Sequence, residues 1–319
     1  HNQFLRSYIV DPSLSTSGNP IGGSKGFLKI LNKLCRLVKP DITVVVWDGQ
    51  GGSQKRRAQN KNYKAGRKPL RLNRKDVFLT EEEIANNKLW QQLRVIEYIN
   101  QTPMIQFMED NVEADDVISY IKNMKNFESW QKVIVSSDKD FFQLLDDKTV
   151  LYRPTQGETL NKNSITERYK IHPNNFALAR AIAGDSSDNL KGIRGVGLGT
   201  VSKKFPFLGE EKSYYADDLI KHIHSTNNKP KGKVDLKLEE GVDLIKQNYS
   251  IMQLYSPSLS IQTKQKISGI IEKYRPQYNK TQLLSLMIKD GVGEVQLSSL
   301  EESFRCLISN FDSIFEESK

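Results

Sequence analysis

The chain has two cysteines, Cys35 and Cys306, and four histidines in 319 residues. Two thiols so far apart offer neither a disulfide framework nor the paired spacing of a zinc site, and they fit a reducing, cytoplasmic setting. His1, His172, His222 and His224 match no zinc pattern, and the last two diverge if placed on a helix. No apolar run approaches the roughly 18–20 residues needed to cross a bilayer. The longest candidate, Ile42 to Trp47, has the length of a strand. A basic-then-apolar leader is also missing, and the first residue is His1 rather than Met. Hydrophobic residues make up 37% of the chain. That suits a folded protein of one elaborate domain or two, with a substantial core.

Acidic residues are scarce in one place. Between Gly51 and Lys75 the basic side chains are Lys55, Arg56, Arg57, Lys61, Lys64, Arg67, Lys68, Arg71, Arg74 and Lys75, and there is no acidic one. The whole chain carries a formal charge of +9, so these ten account for the entire excess and the remainder is close to neutral. A positive field concentrated in this way suits a polyphosphate backbone. A solvated basic loop is the alternative that this stretch alone leaves open.

Periodicity organises the rest. Residues 22–39 show helical spacing at Phe27, Ile30, Leu31, Leu34, Leu37 and Val38, stopped by Pro40. Ile42 to Trp47 reads as a buried strand turning at Asp48-Gly49, and Met104–Met108, Lys132–Ser136 and Val150–Tyr152 as further strands. Glu113–Asn126 reads as a helix. Alternating strands and helices predict a parallel α/β sheet covered on both faces. Residues 49–102 are too long for an ordinary connection and read as a functional, partly helical insertion. Beyond Pro154 the chain turns mainly helical, over Ile165–Ile171, Phe176–Asp188, Thr200–Phe205, Tyr214–Ile223, Leu238–Leu254 and Ser298–Phe315. Asn227 to Lys233 is a polar linker.

Carboxylates collect where such a sheet binds ligands. Asp48 and Asp138 follow strands, Asp140 lies two residues on, and Glu113, Asp115 and Asp116 open a helix after a strand. The carboxyl ends of parallel strands converge at one edge, where ligands bind. Asp185 and Asp188 share the three-residue spacing of Glu113 and Asp116. Any one of these could be a turn former or a helix cap. Together they form a set of hard oxygen ligands suited to two Mg²⁺ ions, with Mn²⁺ as a substitute. Two such ions can generate a nucleophile and steady a leaving oxygen in displacement at phosphorus.

These residues occur in segments that resemble the 5′-nuclease superfamily of flap endonucleases, phage 5′-exonucleases including phage RNase H, and the 5′-nuclease domain of DNA polymerase I. The segments are Val46-Trp47-Asp48-Gly49, Tyr63-Lys64-Ala65-Gly66-Arg67, Val112 to Ile118, Val135 to Phe141, and Gly184 to Asn189 running into Gly192-Ile193-Arg194-Gly195-Val196-Gly197. They cover roughly residues 1–205. The resemblance implies a PIN/FEN-like, mainly parallel α/β sheet flanked by helices, in an α/β nuclease domain over 1–158. Residues 49–102 would form a helical arch. A mainly α C-terminal domain over 159–319 would carry a helix–hairpin–helix element at about 176–206.

The resemblance also implies roles. Asp48, Glu113, Asp115, Asp116 and Asp138 match the acids around a first metal ion, and Asp140, Asp185 and Asp188 those around a second. Lys64 and Arg67 match the catalytic basic pair that reaches the scissile phosphate. Tyr63 matches an aromatic that stacks on a base, and Arg56, with Arg57 and Lys68, matches DNA-binding residues. Gly192, Gly195, Gly197, Gly199, Thr200 and Lys203 match the hairpin that grips duplex DNA, where carbonyls commonly hold K⁺. The family's first metal-binding Asp falls two residues before His1, because Asn2 and Arg6 fit the later part of its motif. The implied activity is structure-specific 5′→3′ exonuclease and flap endonuclease cleavage of DNA and RNA–DNA primer hybrids during replication. Single-strand-binding protein or a clamp would be partners, and the protein would act as a cytoplasmic monomer. The short chain, with no polymerase domain following, suggests a phage origin. A junction binder with a decayed site and a PIN-like ribonuclease are the readings from other classes.

Overall fold

The structure is a computed structural model and describes residues 1–66, 79–225 and 232–316. Helices α1 (Asn2–Val10) and α2 (Gly22–Val38) precede strand β1 (Val44–Asp48). Helix α2 buries Phe27, Leu28, Leu31 and Cys35 on one face. It ends at a left-handed Lys39 immediately before Pro40, which cannot continue a helix. Short α3 (Gln54–Gln59) lies within the basic stretch. Helix α4 (Glu81–Ile99) opens on a capping box between Thr80 and Glu83, which satisfies two otherwise unpaired backbone donors. Strand β2 (Ile105–Glu109), helix α5 (Ala114–Lys122) and strands β3 (Lys132–Val135), β4 (Thr149–Arg153) and β5 (Glu158–Leu160) follow. Helices α6 (Lys162–Tyr169) and α7 (Phe176–Ala183) lead into a tight hairpin of β6 (Gly184–Asp185) and β7 (Leu190–Lys191). The remainder is helical: α8 (Leu198–Lys204), α9 (Ala216–Ser225), α10 (Lys233–Glu240), α11 (Val242–Met252), α12 (Ile261–Glu272), α13 (Lys280–Lys289) and α14 (Ser298–Glu316).

The α/β class and the strand positions agree with the sequence, and several details correct it. β3 and β4 are parallel, with Lys132 opposite Thr149, but β5 pairs antiparallel with β4. Among the described residues β1 and β2 form a separate two-stranded sheet. The helix expected over Phe176–Asp188 stops at Ala183, because Gly184 takes φ +79° and its neighbours pair as a hairpin. The single helix expected over Leu238–Leu254 is two, broken at Gly241, whose Cα packs against the Ile193 side chain. Helices α1, α12 and α13 had no counterpart in the sequence reading. The linker expected at Asn227–Lys233 lies mostly outside the described residues, and Lys233 already belongs to α10.

Contacts gather the chain into two compact units. The first comprises His1–Asp48, Lys68–Met108 and Ser260–Lys319, and the second Gly49–Arg67 and Glu109–Leu259. The border expected near residue 158 falls inside the second unit. The first unit packs Phe4, Phe27 and Trp47 ring against ring, with Val95, Tyr98, Ile99, Leu283 and Phe304 around them. The second unit is built on α7, which buries Phe176, Leu178, Ala179, Ala181 and Ile182. A helix that is apolar on every side must be covered on every side. Here α11, α8 and the Phe142 and Tyr169 rings cover it. No helix among the described residues is long and apolar enough to cross a membrane.

Candidate active site

In the second unit, α7 delivers its chain into the β6–β7 hairpin, and the hairpin carries Asp185 and Asp188. Gly192 lies so close to the Ala183 carbonyl that a Cβ would overlap it, and this contact closes the hairpin onto the end of α7. Buried Asn248 of α11 locks the same junction, donating to the Ala181 carbonyl at 3.0 Å and the Lys191 carbonyl at 2.8 Å. Asp138 caps a 3-10 turn after β3 and accepts the Asp140 N–H at 2.9 Å. These supports bring Asp140, Asp185 and Asp188 together, with one carboxylate oxygen from each within 4.8 Å of the others. They are the acidic group among the described residues with spacing for a metal ion.

Arg180, on α7, pairs with Asp185 and approaches Asp140 at 3.1 Å. Asp140 Oδ1 is buried, and its charged partner is the Arg180 guanidinium at 3.1 Å. Burial pushes the Asp140 carboxyl up to about 7; Arg180 pulls it down, while Asp138, Asp188 and Asp185 add to the rise. One guanidinium does not offset three converging carboxylates, and a hard cation would relieve the remaining repulsion, so the three carboxylates fit a divalent metal.

A second cluster surrounds Glu113, the N-cap residue of α5, which is 3% exposed. Its carboxylate pairs with Arg56, accepts from Lys64 Nζ at 2.8 Å and Ser53 Oγ at 2.7 Å, and accepts from the Tyr63 hydroxyl at 3.1 Å. Burial alone would raise the Glu113 carboxyl; Arg56 and Lys64 overcome it and hold the group at about 2. Arg56 also pairs with Asp116 at 3.2 Å and donates to the Ile251 carbonyl at 2.9 Å. Burial would lower the Lys64 ammonium, but Glu113 and Asp188 keep it above its ordinary range. Lys64 itself takes the left-handed conformation, φ +54°, and its N–H donates to the Asp188 carbonyl at 2.8 Å. Non-glycine residues rarely adopt that region, and such strain collects at functional sites. Asn189 adds a 3.0 Å bond to the Asn62 carbonyl. The loop bearing Lys64 is therefore stapled to the hairpin bearing the acids.

One small cavity joins both clusters, lined by Arg56, Tyr63, Asp115, Asp140, Asp185 and Asp188 among others. Three expected residues stand differently from their sequence reading. Arg56, expected to face DNA, is 9% exposed and spent on internal acids. Tyr63, expected to stack on a base, is buried with Leu190, Ile251 and Met252. Glu113, expected among the metal acids, is engaged by cations and hydroxyls. Asp48 ends β1 in the first unit, with a carboxylate oxygen 4.0 Å from His1 Nδ1. Arg57 and Lys203 are exposed. Gly195 takes φ +83°, and beside Gly197 and Gly199 the space is open. Thr200, half-buried, lies in the first turn of α8, where its N–H donates to the Gly197 carbonyl. Arg67 and Lys68 lie outside the described residues. Sequence reasoning missed Arg180 and Asn248. The lone arginine in Phe176-Ala-Leu-Ala-Arg-Ala-Ile-Ala183 was a usable signal, since a cation in an all-apolar helix needs a buried partner.

The family profile described as "5′-3′ exonuclease, N-terminal resolvase-like domain" matches residues 1–170. DNA polymerase I of Caldicellulosiruptor bescii is 30% identical over 246 residues, 75% of this chain and 26% of that protein. The thermostable DNA polymerase I of Thermus aquaticus is 31% identical over 205 residues, 64% of this chain and 22% of that protein. The chain thus spans about a quarter of the length of these polymerases. The 5′-3′ exonuclease of Aquifex aeolicus is 27% identical over 315 residues, covering 98% of this chain and 93% of that one. Among solved structures, the 5′-exonuclease of bacteriophage T5 with bound zinc superposes with a TM-score of 0.62 at 21% identity, over 77% of this chain and 88% of that one. This likeness establishes a PIN/FEN-like α/β fold.

Proposed function

The chain belongs to the 5′-3′ exonuclease family, and from that premise we propose that it is a Mg²⁺-dependent 5′-nuclease. It hydrolyses phosphodiester bonds of DNA at 5′ flaps, nicks and RNA-primed ends, as primer and flap removal in replication requires. The observation that carries this reading is the convergence of Asp140, Asp185 and Asp188 to within 4.8 Å beside Lys64. In this reading the three aspartates hold one divalent ion, and Asp115, Asp116 and Asp138 serve a second. Bound there, the ions supply Lewis acidity and an activated water. Lys64 contributes a fixed positive charge toward the negative charge that develops on the scissile phosphate. Glu113 and the left-handed backbone fix that ammonium in place. Exposed Arg57 and Lys61 meet the phosphates of a 5′ single strand, and residues 67–78 of the expected arch lie outside the described residues. Residues 176–206 grip the duplex through the open backbone at Gly197 and Gly199, with K⁺ at the hairpin carbonyls. Such contacts position DNA without reading its sequence.

The test is digestion of 5′-labelled flap, nicked and RNA-primed duplexes with Mg²⁺ and with excess chelator. Release of 5′ fragments with Mg²⁺ alone is expected. Equal cleavage in chelator, or no cleavage of any of the three with Mg²⁺, would overturn the proposal.

A further inference from the structure

Arg180 is the feature of the site that the proposed chemistry does not use. It is 7% exposed, in the middle of a helix whose other side chains are all apolar. A buried guanidinium is costly unless it is paired. Its pairs are Asp185 and Asp140, two of the three acids that converge for a metal. Its Nε is buried with no hydrogen-bond acceptor, so the side chain is anchored through its outer nitrogen. Arginine does not lose its proton in proteins, and its charge at this place is permanent.

Three carboxylates and one guanidinium leave two negative charges, which one divalent cation neutralises. Without the guanidinium three negative charges would remain, a set that favours a trivalent cation or a retained proton. Asp138 acts on Asp140 and Lys64 on Asp188, but both are the same with and without the guanidinium, so losing it makes the cluster more negative by one charge in either case. The guanidinium lies within 3.1 Å of one prospective ligand and in direct contact with another, so its field on a bound ion is strong.

Resting on the nuclease reading above, we propose that Arg180 is a positioning residue and resident counter-ion. It holds Asp140 and Asp185 at ligand spacing and sets the preference of the Asp140–Asp185–Asp188 cluster for a divalent over a trivalent cation. The repulsion between guanidinium and ion grows with ion charge, so it penalises a trivalent ion more. Removing the positive charge therefore shifts the relative affinities in a direction that loss of packing alone would not produce.

The experiment measures binding of Mn²⁺ and Tb³⁺ to the full chain by calorimetry and by terbium luminescence. Wild type, Arg180→Lys and Arg180→Met are compared, with circular dichroism to check folding. Arg180→Met is expected to shift the Tb³⁺ to Mn²⁺ affinity ratio toward Tb³⁺ by about tenfold or more. Arg180→Lys is expected to keep the wild-type ratio. An unchanged ratio in a folded Arg180→Met protein would overturn the proposal, and so would an equal shift in Arg180→Lys. Should Arg180→Met not fold, Asp185→Asn and Asp185→Asn/Arg180→Met also differ only in side chain 180. The double variant must then favour Tb³⁺ more than the single, and equality refutes the inference. Wild type that binds neither ion would instead refute the nuclease reading itself. Wild type that binds Mn²⁺ and cuts DNA, with no ratio shift in the variants, would remove only the role given to Arg180.

Discussion

Glu113→Gln tests the cation network at its centre. The replacement keeps the shape of the side chain and removes its charge, leaving Asp116 as the paired carboxylate of Arg56 and a neutral amide in place of the carboxylate 2.8 Å from Lys64. The carboxyl falls from an ordinary 4.5 to about 2 on folding. At about 1.4 kcal/mol for each pH step, this amounts to about 3 kcal/mol of stability in the metal-free protein. Breaking one side of a buried ion pair costs about 3–5 kcal/mol, which is consistent. The sign follows from which form folding prefers. The folded pKa is depressed, so the contribution is complete above pH 4.5 and is lost as pH falls from 4.5 toward 2. Urea denaturation of wild type and variant in chelator, at pH 7 and pH 3, reads it directly. The variant should be less stable by at least about 3 kcal/mol at pH 7, and the gap should shrink by roughly 2 kcal/mol at pH 3. A gap under about 1 kcal/mol at pH 7, or one of equal size at both pH values, would refute the account of this network.

Other outcomes follow from the same geometry. Lys64→Ala should lower turnover far more than DNA affinity, measured as kcat against Kd on a flap substrate; a pure affinity loss would mean that Lys64 only tracks the backbone. Asp185→Asn should abolish cleavage while gel-shift binding of a flap persists, and normal turnover would remove this residue from the metal site. Gly192→Ala should lower the urea midpoint by the equivalent of about 1–3 kcal/mol, because its Cβ meets the Ala183 carbonyl. Gly197→Ala, facing open space, should leave the midpoint unchanged and weaken duplex binding.

Much of the fold was readable because its signals are local. β-branched runs marked β1 and β3, Pro40 marked the end of α2, and acids following strands marked the region of Asp138, Asp140 and Glu113. Signals that depend on a partner were not readable. Arg56 and Tyr63 sit in a strongly basic stretch and look solvent-facing in sequence, yet the acids that bury them lie some fifty residues on. Helix α12 carries apolar residues only at Ile261, Ile267, Ile270 and Ile271, too sparse a stripe to declare a helix. The helix expected through Asp188 ends early for a different reason. Its pattern is helical as far as Ala183, and only the backbone freedom of Gly184 and the pairing with Leu190 and Lys191 turn it into a hairpin.

The internal pairing of Arg56 and Lys64 bears on how salt titrations of this protein should be interpreted. Each lysine or arginine that meets a phosphate expels condensed counterions, and the slope of affinity against salt counts such encounters. Ten cations crowd residues 51–75, but these two already have resident anions in Glu113 and Asp116. They discharge no condensed ions from DNA while those pairs stand. At about 0.9 per cation on duplex DNA the remaining eight can then contribute at most about seven to the slope, and a larger contribution would report that nucleic acid has pried the pairs apart.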